Sequence, residues 1–140
     1  MCLDFDKSEG LFPETEYKTL SGLSLAFIGD AVYELFIRSY VLSKGEARVK
    51  DLHKDTVRLV NADFQADMTD ILMPQLREDE IAVFKRGRNA HAGHTPKNKS
   101  EAQYHKSTGF EALVGYLYLK KDFNRLSFIF SFACTEDKNG

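Results

Sequence analysis

The sequence predicts an all-α protein, and three observations lead to this fold class. Apolar residues recur with a helical period through almost the whole chain. No alternating pattern long enough for a useful strand occurs. The three prolines, Pro13, Pro74 and Pro96, fall at breaks between the periodic stretches, so none of them interrupts a helix. With 140 residues the chain fits one domain, for which we expect about six to seven helices.

The first third of the chain should contain one long helix. Residues 1–18 look loosely ordered and are interpreted as an N-terminal extension, before a domain that covers residues 19–136 and a tail at 137–140. The first helix should run from about Ser21 to Ser43, because apolar residues are frequent and no breaker intervenes. Gly45 then follows as a left-handed cap.

Four further helical stretches are predicted after this cap. One region begins near Asp51 and continues to Leu72 with one break, and Pro74 closes it. A helix over about Glu78 to Asn89 is acidic at its start and basic at its end, as the helix dipole favours. A capping-box pattern at 100–103 predicts a helix that starts there and extends to about Lys121. The last helix covers roughly Asn124 to Cys134.

Composition excludes several classes of protein. Hydrophobic residues make up 43% and charged residues 29% of the chain, which is ordinary for a soluble domain. No run approaches the roughly 18 apolar residues of a membrane span, and the N-terminal segment lacks the apolar core of a signal peptide. Cys2 and Cys134 have no metal-ligand spacing and are expected to be free thiols. We therefore expect a cytoplasmic protein with no membrane partner.

Positive charge is concentrated in one segment. The chain has a net charge of −2, but residues 85–106 hold six lysines and arginines against Glu101 alone, so this segment carries +5 and the remainder −7. A basic island on an acidic protein indicates an anionic partner at one place. The alternative is a solvated helix end, which is the more common explanation for a cluster such as Lys85 to Arg88.

Two carboxylates lie in stretches that are otherwise apolar. Asp30 lies within residues 23–37 and Glu111 within residues 109–119, and neither stretch offers a lysine or arginine on the same face. An ionised carboxylate that is withdrawn from water costs several kcal/mol unless it is paired. A divalent cation shared by the two acids would satisfy both. Gly29 and Gly115 would let the two helices approach closely enough.

Structural alternatives remain for the same residues. Asp30 could be a buried acid that backbone or hydroxyl donors satisfy. Thr108 precedes Glu111 by three positions, so the pair could form a capping box instead of a metal site. His91 and His94 lie in a glycine-containing loop with no cysteine nearby, so their spacing does not favour zinc.

Several segments together resemble the nuclease domain of the ribonuclease III family. Phe27–Val32 resembles its signature helix, Leu59–Asn61 its middle segment and Phe110–Gly115 its second acidic motif. The resemblance is closer still to the short bacterial Mini-ribonuclease III, which has no appended double-stranded-RNA-binding domain. Lys85–Ala90 and Thr95–Asn98 are the most specific segments for that form. The resemblance covers about residues 20 to 120.

The resemblance implies a metal-dependent endoribonuclease that cleaves double-stranded RNA and leaves a 5′-phosphate and a 3′-hydroxyl. Asp30 and Glu111 would be the catalytic acids and would hold Mg²⁺, with Mn²⁺ as a substitute. The larger enzymes carry two more acids, and Ala26 and Thr108 stand at those positions here. Phe27 matches an aromatic residue that inserts into the partner subunit, so a homodimer is implied.

The same resemblance implies an RNA substrate and the residues that contact it. The implied substrate is a precursor of large-subunit ribosomal RNA, cut in a terminal stem, and whether a ribosomal protein presents it is left open. Two rival functions also remain: a non-catalytic RNA-binding protein on the same fold, and a helical interaction module in which both acids are structural. The predicted RNA-binding residues are Lys85, Arg86, Arg88, Asn89, Thr95 and Lys97.

Overall fold

The computed structural model describes residues 17–45, 47–90 and 100–138, and within them the chain contains six α-helices, one short 3-10 helix and no strand. The predicted all-α fold class is therefore confirmed. The elements in order are α1 (Gly22–Ser43), α2 (Val49–Val60), α3 (Ala62–Leu72), the 3-10 helix Met73–Gln75, α4 (Glu78–Asn89), α5 (Glu101–Leu119) and α6 (Phe123–Glu136).

Side chains at the helix ends explain the boundaries of the two longest helices. The backbone N–H of Ser24 donates to Ser21 Oγ at 3.0 Å where α1 begins. The N–H of Gln103 donates to Ser100 Oγ at 3.3 Å where α5 begins. Gly45 follows α1 with a φ of +136°, in the region that favours glycine. The predicted start of each helix and the glycine after α1 are confirmed.

The break predicted inside the second helical region lies at Asn61. Its backbone is extended, with φ −71° and ψ 160°, so it ends α2 and starts α3. Its Oδ1 accepts a hydrogen bond from the N–H of Phe64 at 2.9 Å. Asparagine is a favoured N-cap, so the residue type could have located the break that the periodicity only indicated.

Helix α5 lies at the centre of the fold, because α1, α3, α4 and α6 all pack against it. The ring of Tyr33 in α1 meets Phe110 in α5 edge-on, with centroids 5.1 Å apart. Phe36 stacks on Phe130 of α6 at 4.3 Å. One face of α6 belongs to the core, and its buried residues are Leu126, Ile129, Phe130 and Ala133.

Helices α1 and α5 cross at two glycines. A Cβ at Gly29 would overlap the backbone carbonyl of Glu111, and a Cβ at Gly115 would overlap the carbonyl of Leu25. The close approach predicted from these glycines is confirmed. Because Gly29 directly precedes Asp30, the crossing places Asp30 and Glu111 on adjoining parts of the two helices.

Residues near the expected ends of the domain also pack into it. Tyr17 is 2% exposed, and its ring meets Tyr116 edge-on with centroids 5.9 Å apart. Asp137 is buried, although it falls in the predicted tail. The predicted domain boundaries stay predictions, but at both ends the packed region reaches at least one residue beyond them. None of the helices described here is long and apolar enough to cross a membrane.

Candidate active site

A pocket of about 220 Å³ opens between α1 and α5, and both predicted catalytic acids line it. The first helix contributes residues from two successive turns, and α5 contributes residues spaced at three and four positions, as one helix face requires. The end of α4 closes one side. The lining residues are Leu23, Ala26, Phe27, Asp30, Ala90, Tyr104, Thr108 and Glu111.

The two carboxyl groups lie within hydrogen-bonding reach of each other. Glu111 is half-buried on α5. Burial is the largest cause that raises the pKa of its carboxyl, and the neighbouring Asp30 raises it further, to about 9. A glutamate in this position keeps its proton at neutral pH unless positive charge reaches it, because the ionised form is disfavoured both by burial and by the second acid.

The expectation that Asp30 is withdrawn from water is wrong for the single chain. Asp30 is exposed, because no described element covers the side of α1 on which it lies with Phe27. Only Glu111 is partly buried, so the desolvation argument applies to Glu111 alone. In the single chain, Asp30 is therefore not a buried acid that backbone or hydroxyl donors satisfy.

The alternative of a capping box at Thr108 is also excluded. Helix α5 begins at Glu101, so Thr108 lies two turns inside it. Its Oγ1 donates to the carbonyl of Tyr104 at 3.1 Å, within the same helix. Glu111 is therefore free of any capping role.

The donors that the pocket offers fit a hard divalent cation. Among the described residues, no ion pair involves Asp30 or Glu111. No group of three or more His, Cys, Asp or Glu side chains that could hold a metal occurs there either. Two carboxylates suffice for Mg²⁺, which keeps several waters, and oxygen donors also suit Mn²⁺. The unneutralised acid pair is thus chemically suited to the predicted metal.

The basic end of α4 adjoins this pocket. Gly87 packs directly against Gly109 and Ala112 of α5, which fixes the last turn of α4 beside α5. Ala90 follows that turn and lines the pocket. Lys85 and Asn89 are exposed on the turn. Of the described residues in this region only Ala90 lines the pocket, so Lys85 and Asn89 lie on the helix that leads to it.

The other predicted RNA-binding residues differ in how they are held. Arg88 is half-buried, with its guanidinium 5.8 Å from the centre of the Phe84 ring. The guanidinium of Arg86 donates to the backbone carbonyl of Leu20, so this side chain also ties the segment before α1 to α4. Thr95 and Lys97 lie outside the described residues, as do His91 and His94.

Phe27 lies on an apolar side of α1 that nothing in the described part of the chain covers. Its side chain is 83% exposed, and Leu35 two turns later is 68% exposed. Leu23 is 37% exposed on the same side. Apolar exposure of this size on one helix face indicates an interaction surface.

Sequence reasoning missed one polar residue beside the pair of acids. Gln65 of α3 is 1% exposed, and its amide is close enough to the Glu111 carboxyl to lower its pKa, against the larger effects of burial and Asp30. The spacing of Gln65, Thr69 and Leu72, all buried, places the glutamine on the core face of its helix. A glutamine at a core position of an amphipathic helix is the signal that could have identified it.

Comparisons with known proteins agree with this geometry. The Ribonuclease III domain profile matches residues 23–122. The chain belongs to the ribonuclease III family. A Mini-ribonuclease 3 from Symbiobacterium thermophilum is 51% identical over 78% of this chain and 84% of its own length. A Mini-ribonuclease 3 from Clostridium tetani is 46% identical over 82% of this chain and 77% of its own length.

A solved structure shows the same fold. The crystal structure of a protein from Fusobacterium nucleatum superposes with a TM-score of 0.78 at 31% identity, and the match covers 86% of this chain and 96% of that one. The resemblance found in the sequence is confirmed by these relatives. The sequence resemblance implied two further acids in the larger enzymes, at positions where this chain has other residues. The corresponding residues, Ala26 and Thr108, line the same pocket as Asp30 and Glu111.

Proposed function

We propose that this protein cleaves double-stranded RNA with a divalent cation held by Asp30 and Glu111, and that its substrate is a terminal stem of a large-subunit ribosomal RNA precursor. Its membership of the ribonuclease III family makes the chain an endoribonuclease specific for double-stranded RNA. The metal, the roles of individual residues, the ribosomal substrate and a cytoplasmic location are the proposed parts. The proposed partners are double-stranded RNA and a second copy of the chain.

The acid pair carries the proposal. Two carboxyls from different helices come within hydrogen-bonding reach in an open pocket, with no cation from the described residues to neutralise them. Such an arrangement destabilises the free protein and therefore needs a reason. A bound Mg²⁺ or Mn²⁺ supplies one, because it would neutralise both acids together.

The residues of the pocket indicate hydrolysis by water. When bound, the cation supplies Lewis-acid chemistry: it lowers the pKa of water and neutralises charge on the phosphate. The lining contains no serine, cysteine or lysine among the described residues; its hydroxyl groups belong to Thr108, which is bonded within its own helix, and to Tyr104. Water is the nucleophile that we propose, because a bound cation would activate it. It attacks phosphorus in line and breaks the bond to the 3′-oxygen, which leaves a 5′-phosphate and a 3′-hydroxyl.

The basic end of α4 would hold the RNA backbone beside the acids. Lys85, Arg88 and Asn89 offer donors to phosphate and ribose oxygens, and they lie on the helix that is followed directly by Ala90 of the pocket lining. The wide minor groove of A-form RNA displays 2′-hydroxyls, so binding of this kind reads shape more than sequence. Thr95 and Lys97 stay in the proposal as further contacts.

A homodimer would complete the enzyme. Cleavage of both strands of a duplex needs two sites related by a two-fold axis. The exposed apolar side of α1, with Phe27 at its centre, supports a second copy as the occupant. Phe27 also lines the acid pocket, so a dimer formed on this face would lie next to both active sites.

The first experiment is cleavage of an end-labelled, fully paired RNA duplex with Mg²⁺ and with EDTA. We expect cuts on both strands with Mg²⁺ and none with EDTA. Asp30→Asn should lower the rate by about two to four orders of magnitude, because a metal contributes several kcal/mol to the transition state.

The matched control is Glu34→Gln on the same helix, one turn from Asp30. Glu34 accepts a hydrogen bond from Nε of Arg38 at 3.0 Å and does not line the pocket, so Glu34→Gln should leave cleavage unchanged. A duplex that stays intact but is retarded on a gel by both the wild-type protein and Asp30→Asn would overturn the catalytic proposal in favour of RNA binding alone.

A further inference from the structure

Gln65 lies at a core position where an amide is costly. Around it on α3, Ala66, Met68 and Leu72 are all at most 1% exposed. The neighbouring Thr69 satisfies its own hydroxyl by donating to the carbonyl of Gln65 at 2.7 Å. A buried amide that lacks a hydrogen bond costs roughly 1–3 kcal/mol. An aliphatic side chain at position 65 would avoid this cost.

The amide nitrogen of Gln65 has no hydrogen bond of good geometry in the free protein. Nε2 is buried and without a partner among the described residues, while the amide lies beside the Glu111 carboxyl. The amide of Gln65 and the carboxyl of Glu111 are therefore neighbours, but no hydrogen bond of good geometry joins them. Hydrogen bonds of active sites are often long or poorly aligned in the free enzyme and shorten when the reacting complex forms.

The two neighbours of the Glu111 carboxyl approach it from different helices. Asp30 belongs to α1 and is exposed, whereas Gln65 belongs to α3 and is buried. The ionised form of Asp30 repels an ionised Glu111, but the Gln65 amide can donate to it. A single donor on the buried side would stop the carboxylate from rotating away from Asp30 once both are ionised.

We propose that Gln65 is a positioning residue for the reaction, whose amide holds the Glu111 carboxylate facing Asp30. The proposal rests on the proposed function, since it assigns Gln65 to the same site. Residues that orient metal ligands through hydrogen bonds typically change metal affinity or activity by roughly 10–100-fold when they are replaced. We expect an effect of that size here.

The test is Gln65→Met, which keeps an unbranched side chain of similar length but removes the amide. Mn²⁺ binding by the RNA-free protein, followed by calorimetry, should weaken by about 10–100-fold. The kcat for duplex cleavage should fall in the same range, and KM for the duplex should stay the same because other residues contact the RNA. Melting in EDTA should show no loss of stability, since the buried Nε2 of Gln65 has no hydrogen-bond partner of good geometry to lose.

Two further variants make this test specific. Thr69→Val changes an equally buried polar residue one turn along α3 and should leave Mn²⁺ binding and kcat unchanged. In a Glu111→Gln protein, Gln65→Met should have no further effect on Mn²⁺ binding, because the carboxylate that it orients is already gone.

The outcomes separate this inference from the proposed function. If the wild type cleaves and depends on Asp30, but Gln65→Met binds Mn²⁺ and cleaves normally, the positioning role is wrong and the nuclease stands. If Gln65→Met melts markedly lower in EDTA or does not fold, the amide is a structural element of the core and the inference is overturned. If the wild type neither binds Mn²⁺ nor cleaves, the proposed function itself fails.

Discussion

Glu80 and Glu111 are both glutamates withdrawn from water, yet their surroundings differ. Glu80 is 0% exposed, and its carboxylate accepts hydrogen bonds from Nε and Nη2 of Arg125 at 2.7 and 2.8 Å. It also accepts from the backbone N–H of Arg77 at 2.8 Å. Glu111 instead faces Asp30, with no ion pair among the described residues.

The difference shows how the fold separates structural acids from candidate catalytic ones. Where a carboxylate only joins helices, the sequence supplies its cation, as Arg125 of α6 does for Glu80 of α4. Asp137 is a second example, since Tyr40, Lys44 and Arg58 all donate to it. Where two carboxylates meet without a cation from the described residues, a proton on Glu111 or a bound cation can supply the neutralising charge.

The largest stability effect should come from removing the cation of the structural pair. Arg125→Met leaves the Glu80 carboxylate buried and unpaired, which typically costs about 3–5 kcal/mol. Urea denaturation measures this loss. The specific activity of the folded fraction should stay at the wild-type level, because neither residue lines the acid pocket. Equal stability of the variant and the wild type would show that Glu80 does not depend on its cation.

A smaller loss should follow at the second structural acid. Asp137→Asn weakens the hydrogen bonds from Tyr40, Lys44 and Arg58, and the side chains of Lys44 and Arg58 are 26% and 31% exposed. We expect a loss of roughly 1–3 kcal/mol by thermal or urea denaturation. A neutral result would mean that Asp137, despite its burial, belongs to a tail that contributes nothing to the domain.

Glu111→Gln should change stability in the opposite direction. In metal-free buffer the pKa of Glu111 is raised from 4.5 to about 9, so the folded state holds a proton that the unfolded state has released between these values. Stability of the wild type therefore falls as pH rises through this window and is lowest above it. The glutamine variant lacks this titration, so it should melt at a higher temperature than the wild type, by a margin that grows with pH.

Melting curves in EDTA across that pH range measure the difference, and Mg²⁺ provides the control. Added Mg²⁺ should stabilise the wild type at the upper end of the range and leave Glu111→Gln nearly unaffected, since a ligand stabilises only the protein that binds it. A variant that melts below the wild type at every pH would make Glu111 a structural acid like Glu80.

The comparison also explains which features the sequence could predict. The crossing of α1 and α5 was predictable, because Gly29 and Gly115 are local signals for close approach. The paired structural acids were not, since Glu80 looks like an ordinary first-turn acid favoured by the helix dipole. Nothing near it in the chain indicates Arg125, which lies 45 positions later. Such pairs depend on how helices pack, and local patterns do not contain that information.

The sequence predicted which two acids line the pocket, but it did not predict that Asp30 is exposed. Apolar neighbours in the sequence suggested that Asp30 is buried, but apolar residues on an uncovered side of α1 have the same pattern as residues in the core. Periodicity identifies a helix face without showing whether another element covers it. Gln65 was missed although its spacing with Thr69 and Leu72 places it on the core face of α3, because the pattern does not show that this face meets Glu111 of α5.

The smallest effect should come from Lys85, at the basic end of α4. This position is the reverse of the acid pair, because here a cation has no acidic partner among the described residues. No ion pair among the described residues involves Lys85, whereas Lys120, near the other end of the α4–α5 pair, lies 3.5 Å from Asp79. Lys85→Gln should weaken duplex binding and lower the slope of log affinity against log salt by about 1. Lys120→Gln should leave the slope unchanged. Both lysine variants are made in the Asp30→Asn protein, which should bind a duplex without cutting it, and binding of a labelled duplex is titrated at several salt concentrations. Equal slopes for the two variants would remove Lys85 from the RNA interface.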